Sequence, residues 1–187
     1  MFHNHPEPGL ARFRAAEAWH EPDGRQCSAG RMSAVRAIDA IDRKLLGELQ
    51  RDASLSLADL AERVGASTAS CWRRIRALEA DGVLGRHVRL VDATRLGRGV
   101  NVLCHVRMKT HSAESTESFE RFVASRDEII ECYSMSGDWD YLLRILVADV
   151  EDYSHFLMRV VLRHPAIATG SSHFALAQVK YTTAVPL

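Results

Sequence analysis

Two apolar stripes of helical period, Leu57-Leu60-Ala61-Val64 and Cys71-Ile75-Leu78, are separated by a stop at Gly65 and only two further residues, Ala66 and Ser67. Amphipathic helices joined this tightly must cross and bury their stripes in one small core. Ser56, three residues before Asp59, is a variant of the capping box that opens the first helix, and Gly65 is the residue type that closes it. Ser67 or Thr68 caps the second helix, and Asp81-Gly82 ends it. A preceding stripe of Ile41, Leu45, Leu46 and Leu49 predicts another helix, capped by Asp39 and ending near Arg51-Asp52. Ala61 is small enough for the point where two helices cross. Three helices with a sharp second turn make a helix-turn-helix. Short strands predicted at 83–84 and 87–91, on either side of Gly85, would add a wing.

Beyond residue 91 the pattern changes. A linker rich in Arg and Gly covers 92–99, and β and α signals then alternate. Strands are predicted at 100–108, 129–136, 141–148 and 167–179. One helix is predicted at 115–125, with Phe119, Phe122 and Val123 inward. Another starts at Asp149 or Val150, carries Tyr153, Phe156, Leu157, Val160 and Val161, and is closed by His164-Pro165. The order βαββαβ predicts an antiparallel sheet with both helices on one face, a ferredoxin-like arrangement. The expected fold class is α+β: a winged helix-turn-helix over 37–91, then a βαββαβ domain over 100–187. Residues 1–36 are broken by Pro6, Pro8, Gly9, Pro22, Gly24 and Gly30. They read as a disordered extension, or as reading frame upstream of a functional start at Met32, with a short helix over 10–19 as an option. His3, His5 and His20 can be read as metal ligands, but nothing else there supplies a cage, and no metal is expected.

Lys and Arg total 24 against 24 Asp and Glu, so any nucleic-acid contact must use a local basic face. The four cysteines form no CxxC pair, which argues against a zinc ribbon or disulfide framework and fits a reducing cytoplasm. No apolar run approaches the roughly 20 residues that span a membrane. No export signal is legible, and the expected location is cytoplasmic, without membrane contact.

The second helix of the tight pair presents Thr68, Ala69, Ser70, Trp72, Arg73, Arg74 and Arg76 outside its buried stripe. Hydroxyls in the first turn and three arginines suit phosphates and base edges in a major groove. His87 and Arg89, with Arg86, would meet the flanking backbone from the wing. The competing reading is a plain three-helix bundle with a solvated arginine face. Cys71 lies on the buried stripe and reads as a packed thiol, with a redox switch as the alternative. Gly137-Asp138-Trp139-Asp140 reads either as a hairpin turn of solvated acids or as an anionic, amide-rich rim for an α-amino group. Asp138 and Asp140 as paired acids, with His155, His164 or His173 as bases, would be an enzyme's equipment. No nucleophile, metal spacing or phosphate loop accompanies them, so neither catalysis nor a cofactor is expected.

The chain resembles the Lrp/AsnC, or feast/famine, regulators. The resemblance runs through Ile41-Asp42-Arg43-Lys44-Leu45-Leu46, Leu49-Gln50-Arg51-Asp52, Leu60-Ala61-Glu62-Arg63-Val64-Gly65-Ala66-Ser67, 71–84 and Ser136-Gly137-Asp138-Trp139-Asp140-Tyr141-Leu142-Leu143. It implies a DNA-binding transcriptional regulator of double-stranded DNA. It also implies a ligand-sensing domain that pairs sheets into homodimers and assembles dimers into octamers or other rings. The implied effector is an amino acid held between dimers by Met135, Gly137, Asp138 and Asp140, with Ser171 and Ser172 on the last strand. The family often has proline entering the third helix; here Thr68-Ala69-Ser70 stand there, which caps well but leaves the bases read there open. The stretch 179–187 is similar to a branch that regulates amino-acid catabolism or detoxification genes, some of whose members respond to cysteine. The alternative function is an oligomeric amino-acid-sensing module that does not bind DNA.

Overall fold

The computed structural model describes residues 37–187, so the readings made on 1–36 lie outside it. Helices α1 (Ala40–Arg51), α2 (Leu57–Val64) and α3 (Thr68–Ala80) form where the stripes predict them. Each has a side-chain cap for its first amides. The Asp39 carboxylate accepts from the N–H of Ile41 and Asp42, Ser56 Oγ from Asp59, and Ser67 Oγ from Ser70. Gly65 ends α2 at φ +71°, a left-handed conformation that glycine adopts without a Cβ clash. Leu45, Leu60, Ala61, Val64 and Cys71 form the core between the helices. Burying each large aliphatic there contributes about 1.5–3 kcal/mol.

The wing strands expected at 83–84 and 87–91 are not formed; 83–91 contains no strand. The cause is local. The N–H groups of Val83 and Leu84 both donate to the Leu78 carbonyl, at 2.9 and 3.0 Å, and so close the end of α3 instead of entering a ladder. A two-stranded ribbon without a third partner is marginal in any case.

In the linker, the Asp92 carboxylate accepts from the Thr94 and Arg95 amides and sets a 3₁₀ turn over Thr94–Leu96. The second domain contains β1 (Val100–Met108), α4 (Ala113–Ala124), β2 (Ile129–Ser134), β3 (Tyr141–Val147), α5 (Val150–Phe156) and β4 (Ile167–Phe174). The sheet order is β2-β3-β1-β4, and every neighbouring pair is antiparallel. Side chains alternate across each strand. Val102, Cys104, Val106, Leu143, Ile145 and Val147 therefore share one face, covered by Phe119 of α4 and Tyr153 and Phe156 of α5. The expected βαββαβ layout, with both helices on one face, is the observed one.

Element ends differ for identifiable reasons. Ser112 caps α4, which starts at Ala113 rather than 115. β2 ends at Ser134; one further in-register bond, Met135 N–H to the Asp140 carbonyl at 2.8 Å, closes the ladder, and the turn starts at Ser136 rather than after it. α5 gives way to a π-type turn over Leu157–Val161 instead of running on to His164. β4 ends at Phe174, opposite Val102, because β1 has almost run out; one last bond joins Ala175 N–H to Asn101 O. The chain then returns to α1, where the Gln50 side-chain amide bonds both the C=O and the N–H of Val185. Among the described residues, no helix is long and apolar enough to cross a membrane.

Candidate nucleic-acid interface and sensing turn

On α3, Ala69, Trp72, Arg73 and Arg76 recur at helical spacings of three and four, so they share one face. All four are exposed, as is Thr68 in the first turn. Ser70 is half-buried. Trp72 is 56% exposed, with the Arg76 guanidinium 5.9 Å from its ring centroid. Arg76 also meets Glu79 at 2.9 Å. Arg73 makes no ion pair among the described residues, leaving its full charge to a partner. One of the first amides of α3, that of Ser70, is taken by the Ser67 hydroxyl; a helix N-terminus of this kind suits a phosphate.

Arg74 corrects the sequence reading. The sequence pattern groups it with the DNA-facing arginines; in the structure its guanidinium turns inward to Asp42 at 2.8 Å and Asp39 at 2.7 Å. The position one residue on from the outer face points it at the start of α1. Hydrogen bonds to Asp42 and then Asp39 raise its pKa further. The Asp39 carboxyl is held below the usual range, chiefly by the Asp42 amide and next by Arg74. Arg74 therefore clasps α3 to α1. His87 and Arg89 are exposed, but on an unpaired stretch rather than on a wing.

The turn between β2 and β3 is built by backbone bonds. Gly137 sits at φ +118°, where L side chains are strained. The Asp140 N–H donates to Val106 O at 3.0 Å, and its carboxylate accepts from the Met108 N–H at 2.7 Å. His111 Nδ1 stands 3.6 Å from the same carboxylate. Asp140 thus pins the turn to the end of β1. Asp138 and Met135 are exposed at the tip. The Asp138 carbonyl accepts from Arg107 Nε at 3.0 Å, and the Arg107 guanidinium lies 5.0 Å from the Trp139 ring. The His105 ring lies 5.8 Å from Trp139, tilted, and meets His173 edge-on at 5.2 Å.

The two β4 candidates part company, as successive strand residues must. Ser171 pairs with His105 and is half-buried on the sheet face that carries Arg107. Ser172 faces the helices, where its hydroxyl bonds the Tyr153 hydroxyl. Arg107 and His105 were missed as neighbours of the turn, although the two-residue alternation of β1 separates them from buried Cys104, Val106 and Met108. Cys71 and Cys104 are fully buried, and burial raises the Cys104 pKa. Burial and nearby Glu120 push the Cys132 thiol up to about 12. Cys71 is therefore a packed thiol. No cluster of metal-ligating side chains occurs among the described residues.

Comparison with known proteins agrees with this architecture. The AsnC-type helix-turn-helix domain matches residues 38–79, and the Lrp/AsnC ligand binding domain matches 101–185. The DNA-binding transcriptional activator DecR of Escherichia coli K12 is 40% identical over 80% of this chain and 99% of its own. The glutamate uptake regulatory protein of Zymomonas mobilis is 38% identical over 82% of this chain and 93% of its own. A Neisseria meningitidis transcriptional regulator, solved with L-methionine, superposes with a TM-score of 0.77 at 29% identity, covering 80% of this chain and 97% of that one. The chain therefore belongs to the Lrp/AsnC family and is a DNA-binding transcriptional regulator of that type.

Proposed function

We propose that this regulator reads an operator through the outer face of α3 and changes its assembly or DNA affinity when an amino acid binds at the 135–140 turn. The observation that carries the reading is the concentration of Arg73, Arg76 and Trp72 on one exposed helical face of a chain with no net charge. Dimers would set two α3 helices in successive major grooves, about 34 Å apart. Thr68, Ala69 and Ser70 enter the groove first, Trp72, Arg73 and Arg76 follow, and His87 and Arg89 supply flanking charge.

The sheet face opposite α4 and α5 favours self-association. It carries Leu103, Leu142 and Leu146, with Tyr133 43% exposed, while α4 and α5 pack on the other face and the linker and the tail border its Leu146 end. Dimers joined there, and rings of such dimers, would bring two turns together. The exposed Asp138 carboxylate suits an α-amino group, and Met135 and the Gly137 backbone line the approach. Ser171 borders the same face, whereas Ser172 would act only through Tyr153. Arg107, held at Asp138, offers a cation for an α-carboxylate. The L-methionine in the Neisseria regulator supports an amino-acid effector. An effector bound between subunits shifts assembly because it adds affinity only to the state that forms its pocket. Among the described residues, Cys71, Cys104 and Cys132 are unpaired, which fits work in a reducing cytoplasm.

Titration calorimetry with each common amino acid, paired with sedimentation velocity, tests this reading. The expected result is saturable binding of one or a few amino acids with a change of assembly, and loss of both in Asp138→Asn. An absence of binding by every amino acid to the assembled protein would refute the effector reading.

A further inference from the structure

Trp72 belongs to neither buried core of the described residues. The inner face of α3 is filled by Cys71 and Leu78, with Ile75 packed beside them, while the Trp72 indole stays 56% exposed. It stands at the centre of the outer face, one turn after Ala69 and one turn before Arg76, with Arg73 beside it. Arg76 lies over the ring at 5.9 Å and is itself held by Glu79 at 2.9 Å, so one side of the indole is covered and the rest is open.

An apolar surface set between two cationic side chains fits a partner that is anionic around an apolar spot. That charge pattern selects DNA over an apolar protein groove. In the major groove the apolar feature is the thymine 5-methyl group, and the neighbouring O4 atom accepts hydrogen bonds. An indole offers the complement: an apolar ring with one N–H that can donate and cannot accept. Adenine, guanine and cytosine carry no methyl there.

We propose that Trp72 is the residue that reads a thymine in the operator, through contact with its 5-methyl group. This rests on the α3 reading given above and adds the base that the face selects.

The test replaces only the methyl. Wild-type protein selects its tightest duplex from a randomised pool, and that duplex is remade with deoxyuridine for every thymine, which keeps O4 and the base pairing. Affinities are measured for wild type, Trp72→Ala, Trp72→Phe and Arg73→Ala. The wild type should lose about fourfold per methyl contacted, the ~0.8 kcal/mol that burying one such group is worth. Trp72→Ala should bind both duplexes equally. Trp72→Phe should keep part of the discrimination, and Arg73→Ala should weaken on both duplexes while still preferring thymine. Equal wild-type binding to the two duplexes, or discrimination surviving in Trp72→Ala, overturns the assignment and leaves the α3 reading standing. Recovery of no duplex overturns both. An unchanged thermal midpoint of Trp72→Ala confirms that the fold is not what the variant reports.

Discussion

Arg74 donates to the carboxylate of Asp42 at 2.8 Å, and that carboxylate is only 2% exposed. Separating a buried ion pair is costly, so the contact ties α3 to α1. Arg73, the adjacent residue, has no such tie. Arg74→Ala and Asp42→Ala should each lower the thermal midpoint, Asp42→Ala by about 5 °C or more. The double variant should lose less than the sum of the two. Additive losses in a denaturation cycle would show that the pair does not act as a clasp.

Arg73→Ala should behave in the opposite way. Its stability should stay within about 0.5 kcal/mol of wild type. Its affinity for a selected duplex should fall by about 1–3 kcal/mol if it meets a base edge. Fluorescence anisotropy checks the second point, and unaltered affinity would remove Arg73 from the interface.

Asp138 and Asp140, two residues apart, should separate stability from response. Asp140 accepts the Met108 amide at 2.7 Å, so Asp140→Ala should destabilise the second domain by about 1.5–3 kcal/mol. Asp138 is exposed, so Asp138→Ala should leave the midpoint and basal DNA binding intact and abolish the effector response. A normal effector response in Asp138→Ala would take that residue out of the pocket.

The sequence carried most of this fold because its signals were local and mutually consistent. Asp39, Ser56 and Ser67 all cap as their residue types imply, and Gly65 stops α2 where the stripe ends. What it could not carry depended on three-dimensional partners. Val83 and Leu84 have the apolar character of a strand, yet their amides are taken by Leu78. The run of apolar residues after Phe174 reads as strand, yet β1 offers nothing more to pair with. Arg74 looks like Arg73 in one dimension. Only the helical phase and the position of Asp42 separate a clasp from a contact residue. Gln50 and Val185 are 135 residues apart, and no periodicity could have joined them.

That last contact is testable. Gln50 bonds both backbone groups of Val185, so the Val185 amide should be protected from exchange in wild type. Gln50→Ala should return it to the rate of a free chain while α1 stays folded. Equal exchange in the two proteins, followed by NMR, would mean that the tail does not rest on α1 in solution.

His164 gives a pH signature. Burial against Phe119 and Phe122 depresses its pKa below the ordinary 6.5. The folded state therefore favours neutral imidazole, and the unfolded state binds more protons as pH falls. The contribution of His164 is fully present above pH 6.5 and is lost as pH falls from there through the depressed folded-state value. Midpoints measured between pH 8 and 5 should fall on the acid side, less steeply in His164→Gln. Parallel profiles for the two proteins would contradict this.

The most direct test of the central account is a titration of the purified protein against DNA selected from a randomised pool, at two salt concentrations, with and without a mixture of amino acids. The account predicts tight binding that weakens steeply with salt, as phosphate contacts by a basic helical face require, and shifts when the mixture is added. The absence of specific, salt-dependent binding under all of these conditions would contradict it.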